Sequence, residues 1–492
     1  MQSVVDVLND KLTWLLVVCL PAAGIYFTIV TRGVQFRHLG NMWRIIFSSR
    51  GNGGAQGISS FQAFAISLAS RVGTGNIVGV AIALTLGGPG AIFWMWVMAF
   101  LGMATAYVEA TLAQLYKIPH EDGSFRGGPA YYIQRGLKSR TFGVVFAAAL
   151  VFTFGFSFNG VQANTITGVV SSTWGLDRVY VAIGLTVLTA LVIFGGIRQV
   201  AKVTEWMAPL MALIYVLLAV AVLALRITDV PAQIVLIFKA AFGMEPAIAG
   251  ALGGIIAALL NGVKRGMFSN EAGMGSAPNA AATATTSHPV HQGLIQSAGV
   301  FVDTIVVCTA TAVMILLAGP EIYTAGVTQK SAADTLTQTA VASELGTWVN
   351  PVMAVLIFVF AFSSILGNYA YAEINQDFIG GGKAGNLAIR ILVVVATLWG
   401  GMQKLGLVWD LADVAMSVMA VINLTALVLL GRYAAGALRD FEAQPGSLMS
   451  RVFDLSGNKH VPDDIPGDVW HSDHAQGVAN SPHGSDGEAA RV

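Results

Sequence analysis

The stretch Ser67-Leu-Ala-Ser-Arg-Val-Gly-Thr-Gly-Asn76-Ile-Val-Gly-Val-Ala81 sets Ser70, Arg71, Thr74 and Asn76 among Gly73, Gly75 and Gly79, inside an apolar run. Glycine lacks the backbone restraint that favours a helix, so this spacing predicts an interruption. Freed carbonyls and amides deep in an apolar medium are tolerated only where they line a protein cavity or bind something. Carbonyls of an unwound turn suit a sodium ion, and amides at the start of a half-helix suit a carboxylate. Two other uses of these glycines compete. A dinucleotide fingerprint fails, because the spacing is GxGxxxG and no strand–turn–helix unit surrounds it. Close helix packing accounts for the small residues but not for Arg71 and Asn76.

A second cluster, Phe360-Ala-Phe-Ser-Ser-Ile-Leu-Gly-Asn368, puts Ser363 and Ser364 one turn after a carbonyl that they can help expose. Those oxygens make a hard site for a small cation. Serines also bond back to their own helix, so this pair gains weight only through the first cluster. In the third cluster Gln162 is suited to hydrogen-bond a polar solute, with Asn159 about one turn away and Asn164 beyond. Interhelical bonding is the competing use of those amides. Ionisable residues in apolar segments are functional candidates by default, here Arg71, Glu109, Asp303, Glu373, Asp410 and Asp413. Arg71 and Asp303 are a candidate buried pair. Asp410 and Asp413, beside Trp409, either gate and attract cations or face external water. The polar, small-residue segment Arg265–Pro278 reads as an inner gate or turn. A nucleophilic serine is excluded there, since neither Ser269 nor Ser276 has a GxSxG elbow or a suitably placed histidine.

The elements that must position these groups are membrane helices. Of 492 residues 55% are hydrophobic and 11% charged, against about 25% charged in soluble domains. One large membrane-embedded unit follows, all-α. With 27 basic and 27 acidic residues, there is no basic field for nucleic acid. Cys19 and Cys308 sit in apolar runs without metal-ligand spacing and read as small core residues. The first apolar run, Leu12 to Val30, is long for a signal peptide and lacks a basic leader, so it reads as a retained helix. Windows of about 20 apolar residues predict eleven transmembrane helices, near 12–31, 59–85, 89–117, 142–172, 178–197, 203–226, 246–268, 290–318, 349–376, 386–402 and 406–431.

Basic residues cluster in alternate loops: Arg32 to Arg50, Lys117 to Arg140, Arg198 with Lys202, Lys264 with Arg265, Lys383 with Arg390, and Arg432 with Arg439. This bias predicts an external N-terminus and a cytoplasmic C-terminus. Ten helices after the first divide into five plus five, and an odd number per half inverts the second half. The resulting divisions are an extra N-terminal helix and loop (1–58), a first repeat (59–226), a second repeat (227–435) and a solvated, disordered tail (436–492). His460, His471, His474 and His483 in that tail fit no metal-ligand frame.

GTGNIVGVA (73–81), GGPGAIFWMW (87–96), GGPAYYI (127–133), FSNEAGMGSAP (268–278) and HPVHQGL (288–294) make the chain resemble the alanine or glycine:cation symporter family, from about residue 12 to 435. That resemblance implies sodium-coupled uptake of alanine or glycine, D-alanine in some members, across the plasma (inner) membrane. It also implies a leucine-transporter-type fold, one extra helix plus a 5+5 inverted repeat, with no organic cofactor and Na+ as the coupling ion. Val72-Gly-Thr-Gly-Asn76 is similar to the unwound first core helix of the neurotransmitter:sodium symporters, which reads Val-Gly-Leu-Gly-Asn. By position, amides near Thr74 and Gly75 would hold the substrate carboxylate, and Asn76 would be a sodium ligand or substrate contact. The carbonyls of Ala69, Val72 and Phe360, with Ser363 and Ser364, would form the shared sodium site. Gln162, Asn159, Trp409, Gly253 and Gly254 complete the expected substrate-binding set.

The match departs from the related family in two places. Gly79 stands where that family has a gating arginine, which leaves Asp410 without that partner. The sixth core helix offers no polar residue near Gly253 and Gly254, so the other sodium site is unassigned. The expected partners are a small neutral amino acid, sodium and the lipid bilayer, with a monomer as the unit. Proton coupling is the alternative, disfavoured by neutral Ser and Asn ligands. An ion channel would need a filter ring. An enzyme would need convergent His, Asp or Ser groups, whereas His38, His120, His288 and His291 lie near segment ends.

Overall fold

The computed structural model describes residues 2–49, 58–120, 123–244, 251–462, 464–467 and 469–471. Nearly every apolar run becomes a helix, because a helix satisfies its own backbone where water is excluded. Among the described residues, eight helices are long and apolar enough to cross a membrane, and the bent pair Ser60–Arg71 and Gly75–Gly87 makes a ninth. As far as they are described, without 246–250, all eleven expected segments fall on helix, but two miss that standard. Arg178–Ile193 has only 16 residues, and Ala251–Asn270 carries Asn261, Lys264 and Arg265. Large apolar side chains such as Trp206, Leu191 and Ile29 lie exposed on the outside of the bundle, the face that hydrocarbon would cover.

Among the described residues, two helices are broken at the centre of the bundle. The first broken helix begins with a capping box, Ser59 Oγ accepting from the Gln62 amide at 3.1 Å and Gln62 Oε1 from the Ser59 amide at 3.0 Å. It stops at Arg71 and restarts as a π-helical turn over Gly75–Gly79, with a bend of 47° between the halves. The second broken helix runs from Ala251 to Asn270 and resumes at Ala277–Thr283. Between them Glu271, Gly273 and Gly275 take φ values of 58°, 90° and 84°, which no right-handed helix can accommodate. Further π-helical turns lie at Thr153–Ser157 and Phe301–Cys308. The 31-residue helix Val349–Ile379, here the serine helix, runs unbroken past the first break.

Two sequence expectations need correction here, and one open position is filled. The sequence leaves the break of the second broken helix unplaced; the positive φ values put it at Glu271–Gly275. Gly253 and Gly254, expected to bind substrate, sit in continuous helix away from it, and Gly253 is exposed with no described atom within 4 Å of the place a Cβ would take. Lys264 and Arg265 lie inside helix Ala251–Asn270, and the segment after them is an internal break before helix Ala277–Thr283 rather than a terminal turn. The tail, finally, is folded as far as it is described. The last helix runs from Leu405 to Ala443, and beyond it Phe453, Leu455, Val461, Ile465 and Trp470 are buried.

Those five apolar residues have no regular spacing, so composition hid them among Pro, Gly and Asp. Their backbone is paired as well: Phe453 N donates to Ser287 O and Leu455 N to Trp470 O, both at 2.9 Å. The Trp470 indole donates to the Gln114 carbonyl at 3.0 Å and covers Lys117, whose ammonium lies 5.0 Å from the Trp470 ring and 4.0 Å from the Phe125 ring. That burial holds the Lys117 ammonium well below the ordinary lysine pKa. Residues 472–492, with His474 and His483, lie outside the described residues.

Small residues let helices meet at backbone distance. A Cβ on Gly400 would sit 2.3 Å from the Gly160 Cα, so helices Phe158–Trp174 and Gly382–Met402 meet backbone to backbone at this glycine pair. Gly184, by contrast, has nothing within 4 Å. Gly400→Ala should therefore destabilise the purified protein by about 1–3 kcal/mol. Gly184→Ala should be neutral or stabilise by about 0.5–1 kcal/mol, since helical glycine costs about that much. Thermal melts of the two variants in detergent check the contrast; equal melting temperatures would contradict the seam.

Candidate functional site

The first break exposes backbone that must find partners. Val72 N still bonds to Leu68 O at 2.8 Å. Gly73 N then donates to Asn76 Oδ1 at 3.0 Å and Thr74 N to Gln162 Oε1 at 3.3 Å. The Thr74 hydroxyl is buried with no partner among the described residues. At the amide where a substrate carboxylate is expected, Thr74 N meets the neutral Gln162 amide oxygen. Gly73 is required by space: a Cβ there would lie 2.1 Å from Ser364 Oγ. Gly75 packs on Phe268 and Gly79 on Trp409, with Cβ distances of 3.0 and 3.5 Å.

The serine helix supplies oxygens at this point of contact. Ser364 Oγ lies 2.9 Å from Ala69 O and 3.1 Å from Phe360 O; Ser363 Oγ lies 2.8 Å from Phe360 O and 3.3 Å from Ala69 O. All four residues are fully buried. Two carbonyls and two hydroxyls within such distances form a neutral, hard-oxygen cluster, the donor set that suits an alkali cation. The hydroxyls turn to the two carbonyls here, and a cation at the same junction would receive their lone pairs instead. Val72, the fifth expected ligand, caps the same helix end.

Asn76 faces elsewhere. Its amide lies 2.6 Å from Asp303 Oδ1, 3.1 Å from Asp303 O and 3.1 Å from Ser269 Oγ. Ser269 and Thr304 donate to Asp303 Oδ2 at 2.6 and 2.7 Å. Both broken helices thus meet the π-helical turn of helix Pro289–Leu317 through one buried carboxylate. The expected Arg71–Asp303 pair does not form: Arg71 donates to Gln296 O and Oε1 at 3.2 and 3.0 Å. Ser269 was set aside in the sequence with the nucleophile it cannot be. Its signal was the polar Ser-Asn-Glu run just before the break.

Aromatic rings close one side. Phe268 stacks on Phe158 and meets Trp409, both with centroids 4.5 Å apart. Arg265 lies over Trp409 at 4.9 Å and pairs with Asp413. Lys264 reaches Asp413 at 3.5 Å, and Lys330 reaches Asp410 at 3.1 Å. Asp410 therefore has a cationic partner, which the sequence left unassigned. Asp413 is buried and held by two cations rather than facing water. Asn159 accepts from Asn368 Nδ2 at 3.0 Å. Asn164 is an interhelical tie, donating to Gly400 O at 3.0 Å. Among the described residues, no group of three or more His, Cys, Asp or Glu is arranged to hold a metal ion.

The break, the cation-suited cluster and the aromatic wall therefore belong to one buried site. The model of the sodium:alanine symporter family matches residues 1–455. The protein named "Amino-acid carrier protein AlsT" from Bacillus subtilis is 45% identical over 96% of this chain and 98% of its own. "Probable sodium/glutamine symporter GlnT" from the same organism is 45% identical over 92% and 93%. The solved structure of MhsT with L-phenylalanine superposes with a TM-score of 0.59 at 15% identity, covering 78% of this chain and 92% of that one. That likeness shows a shared fold, of the leucine-transporter type. The chain belongs to the sodium:alanine symporter family: it is a sodium-coupled amino acid symporter, not an enzyme.

Proposed function

We propose that this protein carries a small neutral amino acid, alanine or glycine and D-alanine among the candidates, into the cell together with sodium by alternating access. The observation that carries this reading is the meeting of Ala69 O, Phe360 O, Ser363 Oγ and Ser364 Oγ directly beside the amides of the first break. Sodium takes those oxygens and fixes the unwound segment against the serine helix. With the segment fixed, Thr74 N and Gly75 N are oriented for a carboxylate, which displaces Gln162 Oε1 from Thr74 N. Each ligand thus prepares the other's site, and the coupling is reciprocal. The crowded wall of Phe158, Phe268 and Trp409 favours small side chains sterically.

In this reading eleven helices cross the plasma membrane, one plus two inverted sets of five, with the N-terminus outside. Five of the six basic loop clusters support that orientation; Lys264 and Arg265 no longer contribute to it. The protein acts as a monomer. Of the residues expected to bind substrate, Thr74, Gly75, Asn76, Gln162 and Trp409 are retained. Asn159 acts one residue removed, and Gly253 and Gly254 are withdrawn.

Labelled L-alanine should accumulate above equilibrium in proteoliposomes given an inward sodium gradient, and not when potassium replaces sodium. Accumulation without sodium that collapses with a protonophore would transfer the coupling to protons. Efficient competition by L-glutamine but not glycine would contradict the small-substrate assignment. Ser364→Ala removes one of four oxygens, so the sodium concentration for half-maximal uptake should rise at least ~10-fold, about 1.4 kcal/mol, with the alanine-saturated rate less affected. Gly73→Ala pushes a methyl into Ser364 and should reduce sodium-driven uptake to background in a folded protein. Wild-type uptake in Gly73→Ala would remove the close approach from the mechanism.

A further inference from the structure

We propose that Glu271, at the break in the second broken helix, is a proton-binding site whose proton holds the two broken helices together. Ser70 Oγ lies 2.9 Å from Glu271 Oε1 and 2.8 Å from Asn368 Oδ1, yet a hydroxyl has one proton to give. Which neighbour receives it is decided further along. Asn368 Nδ2 donates to Asn159 Oδ1 at 3.0 Å, and Asn159 Nδ2 donates to the Gly155 carbonyl at 3.3 Å. A backbone carbonyl only accepts, so it fixes the Asn159 amide, which fixes Asn368, whose Oδ1 must then take the Ser70 proton. Reversing the two amides would set the Asn159 oxygen against the Gly155 oxygen. Ser70 is left as an acceptor toward Glu271. Only the carboxylic acid form of Glu271 can supply that donor, while its other oxygen accepts from Ser276 Oγ at 2.6 Å.

The charged surroundings leave this assignment intact. Glu271 is buried, and among the described residues no cation lies within ion-pair distance of it. Arg71 faces it from the first broken helix but donates to Gln296. Glu109 reaches the same break from helix Gly90–Leu115, accepting from Gly273 N at 3.1 Å and Asn423 Nδ2 at 2.6 Å. Asp303 faces it from helix Pro289–Leu317 and Tyr371 from the serine helix. Three buried acids thus share one buried guanidinium, and a neutral Glu271 relieves part of that excess.

The chain from Glu271 through Ser70, Asn368 and Asn159 joins both broken helices, the serine helix and helix Arg140–Trp174. If the broken helices part during transport, this chain is cut at Ser70, and the carboxyl, meeting water, releases its proton. Closure of this side is therefore proton-linked. The linkage rests on the transport reading, whereas the bound proton does not.

Infrared spectroscopy of the purified full-length protein tests the proton directly. A protonated-carboxyl C=O band at neutral pH should be present in the wild type and missing in Glu271→Gln, leaving any bands of Glu109 and Asp303. An unchanged set of bands would overturn the proposal. Ser70→Ala deletes the acceptor and should move the same band to higher frequency, an independent reading should Glu271→Gln fail to fold; an unmoved band would again overturn it. Because a glutamine amide supplies the same donor permanently, sodium-driven uptake by Glu271→Gln should lose the wild-type pH dependence. Retention of that profile would reject the proton linkage while leaving the proton site to the infrared result.

Discussion

Everything at this site follows from one constraint: backbone groups released inside an apolar bundle must be satisfied by something. The helix ends after Arg71, and Gly73, having no side chain, lets the serine helix come to contact. Ala69 O, at the broken end, then gathers with two hydroxyls and a carbonyl of the unbroken serine helix. A cation would be held here without a protein charge, so its binding depends on how the helices sit. Neutral ligation of this kind is what a conformational cycle can make and unmake.

The second break obeys the same constraint with different partners. Glu271 takes a left-handed conformation despite having a Cβ, and its carboxyl is tied to Ser70 and Ser276, while Glu109 braces the Gly273 amide. Strain at a non-glycine residue persists only where its surroundings fix it. Asn76 and Ser269 then bring the two breaks onto Asp303. The centre of the molecule is thus a set of polar networks linking helices that contribute few polar atoms elsewhere.

Much of this was legible in the sequence, for local reasons. The first break and the serine pair lie in short stretches where spacing alone places a glycine beside a hydroxyl or a hydroxyl beside a carbonyl. The position of the second break stayed open in the sequence, because positive φ at Glu271 has no compositional mark. The partners of Asp303, Asp410 and Asp413 are contacts between distant segments, which no spacing rule reaches. The folded tail escaped because Phe453 and Trp470 bury themselves singly, against loops, with neither helical nor strand period to reveal them.

The central claim is that sodium and amino acid share one deformable joint at Gly73–Asn76. Its most direct test is binding at equilibrium, with alanine affinity measured across sodium concentrations and sodium affinity measured with and without alanine. The account predicts that each ligand tightens the other by the same factor, about 5- to 150-fold for a typical coupling. A sodium affinity that alanine leaves unchanged would contradict it.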